Sequence, residues 1–418
     1  MDQSTFNTKN YPTLADYFNA ENPEGIAIIE ETKQNSTFLT DAAMVPTNDG
    51  TRYKYRRKGE MKYNPRPASF DEGYHAEKQT VAGKDLSFDT MRVTDSIEWE
   101  RKHKNNSDTN GEDLKDEQMR KLTDAMIQKK VNFLLYGDKN NMTDYGLEID
   151  GLMQFVKGTI PVSEYYNMMS KLSSYGDVEN PFDTHGILNL KLGSSAKNYE
   201  LDSEALLCFD NQVDPDSGER VSGGLSSGNR FASVLGIAWG KEGVLSFFPE
   251  VIDGAGAGFF TQYLEGMNEK YTDPRDGLEK RYTADAYDMD EYFGIGVLNR
   301  FCLSRLSNIN LYANSKAGKK AEMERVERYC MMMKDFFDKG KTGMTMKFYC
   351  PEELVRQMEL YQKELYPLNW AANNSRQFDG RSPLVRPKEI AIANDITLVS
   401  DSIFRTSEAF VGTALQEV

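Results

Sequence analysis

Apolar and cationic residues alternate along Arg52-Tyr53-Lys54-Tyr55-Arg56. That two-residue period predicts a strand whose faces meet different surroundings. Gly59 and the Asn64-Pro65-Arg66-Pro67 cluster interrupt it, as residues with fixed or unusual backbone angles do. A second strand-like run passes through Leu86, Phe88, Met91, Val93, Ile97 and Trp99. Together the runs predict a long two-stranded arm, launched by the Asn48-Asp49-Gly50 turn signal. The arm has too few apolar residues to bury itself and is expected to rest on another surface. Upstream, residues 1–20 are polar with scattered aromatics, Phe6, Tyr11, Tyr17 and Phe18. They read as a segment ordered only by contact with something else. Pro23, followed by Ile26, Ile29 and Lys33 at helical spacing, predicts a short helix over 23–34.

The period changes beyond the polar stretch KHKNNSDTNGED at 102–113. Met119, Leu122, Met126 and Phe133 share one face of a helix over 114–136 that Gly137 ends. At ~1.5 Å per residue this is a rod about 34 Å long. Residues 150–230 are turn-rich. Two apolar runs, 231–239 and 243–251, are joined by Gly240-Lys241-Glu242 and read as a hairpin. Phe293, Ile295 and Val297 alternate within an extended region over 282–309. From 320 a helical face of Met323, Val326, Cys330, Met333 and Phe337 appears, then a strand over 344–350. Pro351-Glu352-Glu353 opens a helix with the stripe Leu354, Met358, Tyr361 and Leu365, its acids at the positive end of the dipole. The strands of the end segment from Ile390 are expected to return and pair near 345.

Composition narrows the function. The 418 residues, 39% hydrophobic and 28% charged, suit a folded protein with two or more lobes. No apolar run is long enough to span a membrane as a helix, and the start, MDQSTFNTKN, has no secretory pattern. Cys208, Cys302, Cys330 and Cys350 show no CxxC spacing, and His75, His103 and His185 lie far apart. Buried free thiols are the expectation and a metal site is not. Gly254-Ala255-Gly256-Ala257-Gly258 lacks the GxGxxG spacing of a dinucleotide loop and reads as a turn. Asp214-Pro215-Asp216-Ser217-Gly218 lacks the remaining ligands of a calcium loop. Carboxylate pairs such as Asp288 and Asp290 are expected by chance among 65 acidic residues. No catalytic, cofactor-binding or metal residue is assigned.

The net charge of −15 disfavours general affinity for DNA. Against it stands a basic stretch, with Arg52, Lys54, Arg56, Arg57, Lys58, Lys62 and Arg66 facing a single carboxylate, Glu60, before Asp71. Three readings stay open on charge alone. The stretch binds single-stranded nucleic acid through cations and stacking tyrosines, or docks on an acidic neighbour such as another copy, or is a solvated hairpin.

The order of features resembles the major capsid proteins of tailed bacteriophages with the Hong Kong 97-type fold, from about residue 13 to 411. The colinear series consists of IAIIEETKQNSTFLTDAAMVP, NDGTRYKYRR with PRPASFDEGY, LSFDTMRVTDSIEWERK, the helix ending NFLLYGD, DGLMQFVKG, ASVLGIAWGKEGVLSFFPE, LSRLSNINL and QFDGRSPLVRPKEI. The resemblance implies an α+β fold. Residues 1–48 would be an N-terminal arm and short helix, and 49–95 an extended β-hairpin, the E-loop, lying over a neighbouring subunit. Residues 96–158 would begin a peripheral domain with spine helix 114–136. Residues 159–309 would form an axial domain, and 310–418 would complete the peripheral domain. The implied function is a shell protein rather than an enzyme, assembling into hexamers and pentamers of an icosahedral head around double-stranded DNA in the bacterial host cytoplasm. Arg52, Tyr53, Lys54, Tyr55, Arg56, Arg57, Lys58, Lys62 and Arg66 would make the intersubunit contacts, with Glu72 and Gly73 setting the arm's geometry. No fused helical scaffold precedes the fold, so a separate scaffolding protein is expected, with portal and decoration proteins as further partners and non-covalent joints. The alternative is another virion structural or nucleic-acid-binding protein using the basic segment 51–66.

Overall fold

The computed structural model describes residues 36–58, 83–100, 114–140, 142–143, 146–156, 160–161, 190–192, 197–200, 207–210, 231–240, 243–249, 258–272, 277, 279–298, 302–311, 316–339, 346–365, 389–393, 396–409 and 416–417. The segment 1–20 and the helix expected over 23–34 lie outside them. The chain runs helix α1 (Thr37–Asp41), then strands β1 (Met44–Pro46), β2 (Arg52–Lys58), β3 (Gly83–Asp89) and β4 (Met91–Glu100), then helix α2 (Leu114–Tyr136). Short pieces follow: β5 (Met142–Thr143), β6 (Gly146–Leu147), α3 (Leu152–Phe155), β7 (Ile160–Pro161), β8 (Leu190–Leu192), β9 (Lys197–Glu200) and β10 (Leu207–Asp210). The longer strands are β11 (Phe231–Ala238), β12 (Val244–Phe248), β13 (Phe259–Thr272), β14 (Glu279–Val297) and β15 (Leu303–Asn310). Helix α4 (Lys316–Lys339), β16 (Met346–Cys350), α5 (Glu352–Leu365), β17 (Glu389–Ala393), β18 (Ile396–Ser400) and β19 (Gln416–Glu417) complete an α+β chain.

Two large sheets organise it. One is built on β14, which pairs antiparallel with β13, with β4 over 284–293, and with β12 over 294–297. The other has the order β17-β18-β16-β11-β15-β10-β7. The apolar runs 231–239 and 243–251 are therefore not a hairpin. β11 pairs with β15 and β16, whereas β12 pairs with β1 and β14. The chain changes sheets between Trp239 and Gly243. The burial pattern supplies the reason: every residue of both strands is buried. A run without alternation belongs inside a sheet covered on both faces, and two such interior strands need not be partners. The 19-residue β14 and its 14-residue partner β13 were legible only in part, the latter not at all. Gly258, at φ 90°, starts β13, and a side chain there would strike the Tyr292 carbonyl at 2.2 Å.

Helix α2 spans the residues expected of it. Leu122 and Met126 pack on Phe259, Tyr287 and Met289 of the β14 sheet, and Ile127, Val131, Leu134 and Leu135 join the main core. Between them lies Lys130, whose ammonium is fully buried 2.5 Å from the buried Glu291 carboxylate. It sits 4.6 Å from the centre of the Phe259 ring and 5.6 Å from that of Phe293. Burial pushes the Glu291 carboxyl up, and Lys130 opposes that shift. Gly137 ends the helix by close approach rather than by a left-handed cap: a Cβ there would meet the Ile149 carbonyl at 2.4 Å.

Helices α4 and α5 lie on the seven-stranded sheet. Met323, Val326, Tyr329, Cys330 and Met333 of α4, and Leu354, Val355, Met358 and Tyr361 of α5, are buried in its core. The predicted return of the end segment is observed: β18 runs parallel to β16 and carries β17 at its outer edge. Cys302, Cys330 and Cys350 are buried and form no disulfide, and burial raises the Cys330 and Cys350 thiols, which keeps those two protonated and inert.

The ends of the described fold are tied by buried polar groups. Asp401 accepts hydrogen bonds from the Ser36 hydroxyl at 2.8 Å and the Phe38 N–H at 3.1 Å, while Ser36 caps α1 through the Leu39 N–H. Glu408 accepts from Tyr136 at 2.9 Å, from Arg305 at 2.9 Å and from Ser233. Asn308 takes φ 59° opposite a register shift between Ala232 and Val234. Such a bulge in the β15 strand re-aims side chains, and an asparagine tolerates the left-handed backbone it needs.

Replacing Lys130 by Met leaves Glu291 buried without its counter-charge and is expected to cost about 3–5 kcal/mol in denaturant unfolding. The double variant Lys130→Met, Glu291→Leu is expected to recover most of that loss.

Candidate functional site

The predicted arm is present as an antiparallel pair, β2 with β3, in register from Arg52 opposite Asp89 to Lys58 opposite Gly83. Its turn is built as the sequence suggests. Asp49 and Arg52 exchange backbone hydrogen bonds at 3.1 and 3.0 Å, and Gly50 takes φ 60°. The Asn48 side chain lies along the strand, its Oδ1 accepting from the Lys54 N–H and its Nδ2 donating to the Lys54 carbonyl, each at 2.8 Å. Thr90 closes the far side through its N–H and hydroxyl to the Thr51 carbonyl, at 3.2 and 2.8 Å.

The strand pair stops at Asp89, not at 95. Beyond Thr90 the chain enters the β14 sheet as β4, so the second apolar run serves two structures. Leu86 and Phe88 belong to the arm, whereas Met91, Val93 and Ile97 face the core under α2. The arm leaves the body where β14 passes from pairing with β4 to pairing with β12. Two glycines make room there. A Cβ on Gly294 would lie 2.7 Å from the Asp89 carbonyl, and one on Gly296 would lie 2.7 Å from the Phe88 ring.

The two faces of β2 differ as its alternation requires. Tyr53 and Tyr55 are half-buried, while Arg52, Lys54 and Arg56 are exposed. Tyr53 stacks on Phe247 with ring centres 4.3 Å apart and planes 9° from parallel, and Phe88 lies 5.9 Å from the same ring. Ala43, Leu245 and Leu298 complete this cluster. The surface on which the root of the arm rests is therefore its own chain. Burial and the neighbouring Tyr55 push the Tyr53 hydroxyl above its ordinary value of 10.0.

The cations are matched in the same hairpin. Arg52 pairs with Asp89 at 2.7 Å, Lys54 with Asp49 at 2.6 Å and Arg56 with Asp85 at 3.7 Å. These are solvent-exposed pairs, each worth up to about 1 kcal/mol, but they alter the reading of the basic stretch. Asp85 and Asp89 lie 29 and 37 residues beyond Arg56 and Arg52 in sequence and opposite them in register. A count along 51–66 misses them; writing the two strands side by side finds them. Arg57 and Lys58 continue β2 opposite Lys84 and Gly83. Lys62, Arg66, Glu72 and Gly73 lie outside the described residues.

Other sequence signals acquire structural explanations. Asp290 accepts two hydrogen bonds from Arg92, at 3.2 and 2.7 Å. Trp239, expected at a hairpin turn, instead donates to the Tyr349 hydroxyl at 3.0 Å and meets the Phe38 ring edge-on. The Asp214–Gly218 segment and the three histidines lie outside the described residues. Among the described residues, no group of three His, Cys, Asp or Glu is placed to hold a metal, and no helix is long and apolar enough to cross a membrane.

No protein-family model and no curated protein sequence matches the chain. Solved structures to which it is similar include that of bacteriophage epsilon15, at 16% identity, covering 90% of each chain with a TM-score of 0.47. The bacteriophage JBD30 capsid is similar at 12% identity over 88% of this chain and 91% of that one, with a TM-score of 0.37. The SrpI encapsulin complex of Synechococcus elongatus is similar at 12% identity over 65% and 86%, with a TM-score of 0.31.

Tyr53→Ala removes the stacked seat and is expected to speed hydrogen exchange at the Tyr55 and Leu86 amides about tenfold, with amides of β14 unchanged. Because the Tyr53 pKa is raised on folding, its contribution is fully present below pH 10.0 and lost as pH rises through the folded value. The same amides therefore gain exchange, beyond the intrinsic rate increase, when alkali carries the wild type past that point.

Proposed function

We propose that this chain is the major capsid protein of a tailed bacteriophage with the Hong Kong 97-type fold, self-assembling into hexamers and pentamers of an icosahedral head that encloses double-stranded DNA. The observation that carries the reading is the arm. Among the described residues it is a two-stranded ribbon seated on the body by Tyr53, Tyr55 and Phe88 against the Phe247 cluster. Its place in the chain, immediately before a strand and a 23-residue helix packed across the β14 sheet, follows the colinear order on which the sequence resemblance rests. A two-stranded ribbon is marginal by itself, and a neighbouring subunit supplies the rest of its stability.

In this reading 49–89 is the E-loop, α2 the spine helix, 159–309 the source of most of the axial domain, and the segment from 310 the completion of the peripheral domain. Tyr55 adds contact area and Arg57, Lys58, Lys62 and Arg66 add charge against acidic surface of the next copy. Arg52, Lys54 and Arg56 exchange or share their hairpin partners on docking. Each interface is modest, and many per shell make the assembly stable. The excess of acid, 65 residues against 50 basic, limits adhesion of the inner wall to packaged DNA, which is held without sequence-specific contacts. A scaffolding protein, a portal and decoration proteins are the expected partners in the bacterial cytoplasm.

Reversal of two arm cations tests the reading. Arg56→Glu with Arg57→Glu is expected to abolish shells and capsomers in sedimentation and negative-stain images, while the unfolding free energy changes by less than about 1 kcal/mol. Normal shells from this variant would remove the arm from assembly. A wild-type protein that stays monomeric and binds single-stranded DNA at moderate salt would replace the capsid reading with the nucleic-acid one.

A further inference from the structure

Among the described residues, the outer edge of β2, the edge turned away from β3, is closed over its first half and open over its second. Backbone groups of successive residues point alternately to the two sides of a strand. Arg52 turns its N–H and carbonyl outward and both are taken by Asp49. Lys54, two residues on, turns its pair outward and both are taken by the Asn48 side chain at 2.8 Å. The next outward pair belongs to Arg56 and the one after that to Lys58. Among the described residues β2 has no strand partner other than β3, and the Arg56 side chain on this stretch is 72% exposed.

From this edge we infer that an extended segment of a second copy of this chain adds to β2 beginning at Arg56, and that Asn48 is the stop that prevents pairing from starting earlier. The inference rests on the capsid reading and specifies one of its contacts. An open strand edge offers donors and acceptors in alternation. A polypeptide strand matches that alternation, whereas a nucleic-acid backbone presents acceptors only. Arg56, Arg57 and Lys58 place three cations along the open stretch, and the chain's excess of acid provides segments that suit them. Asn48 occupies the position where one more backbone bond would otherwise form. The start of intermolecular pairing is thereby set to one residue, which matters because a slip by one residue turns every side chain to the other face.

Proline at position 56 separates backbone pairing from charge. The Arg56 backbone turns away from β3, so Arg56→Pro removes an outward donor and spares the backbone pairing of the hairpin, while Arg56→Ala also loses the Asp85 ion pair but keeps the donor. Light scattering is expected to show Arg56→Pro raising the threshold concentration for assembly at least about tenfold above that of Arg56→Ala. Equal thresholds for the two overturn the inference. Hydrogen exchange of the wild type gives a reading free of any folding defect. The Lys54 amide is expected to be protected in monomer and shell alike, and the Arg56 and Lys58 amides only in the shell. An Arg56 amide equally fast in both states overturns the inference. A wild type that never assembles overturns the capsid reading instead, a different result from a shell that forms with Arg56 unprotected.

Discussion

One ion pair determines how the layers of this protein meet. Lys130 projects from the middle of α2 onto Glu291 in the middle of β14, and neither side chain reaches water. Lys130 donates to one Glu291 oxygen, and the other has no hydrogen-bond partner among the described residues, so the pair is held by that charged bond, by the Phe259 and Phe293 rings and by packing. Two desolvated charges gain little net stability but strongly penalise every arrangement in which they separate. The helix is thus held in one position on the strand, and β14 in turn orders β4, β12 and β13. The arm emerges between two of those strands. Its position on the body is inherited from a contact in the core.

The same strand shows how a sheet can prepare a surface for something that leaves it. Phe293, Ile295 and Val297 bury their side chains in the main core. The residues between them, Gly294 and Gly296, have no side chains and admit the root of the arm. Phe247 faces that gap and receives Tyr53. Seat and exit are therefore specified by alternating absence and presence of bulk along a few residues.

Helices were legible where the apolar stripe was long. The span of α2, the acidic opening of α5 and the buried face of α4 follow from side-chain periodicity alone, because each helix lies on a single sheet. The two strands of the arm were legible for the same reason: one face sees a body and the other sees water. Strands buried on both faces were not. β11 and β12 read as partners because they are adjacent and uniformly apolar, and nothing in uniform burial says which neighbour lies beside a strand. Lys130 was hidden in a helix where Arg120, Lys121 and Lys129 are exposed surface residues. The pairing of Arg52 and Arg56 with acids of β3 needed the register, which periodicity does not supply.

The clamp formed by Asp401 has a consequence for the order of events during synthesis. Its partner Ser36 lies 365 residues earlier. At ~5–20 residues per second, the ribosome needs on the order of tens of seconds to deliver the second half of that contact. Until then α1 keeps its local Ser36 cap but lacks the Asp401 carboxylate that accepts from the Phe38 N–H. The arm's seat, Phe247, precedes Asp401 by 154 residues, so the parts of the seat are delivered before α1 is tied down.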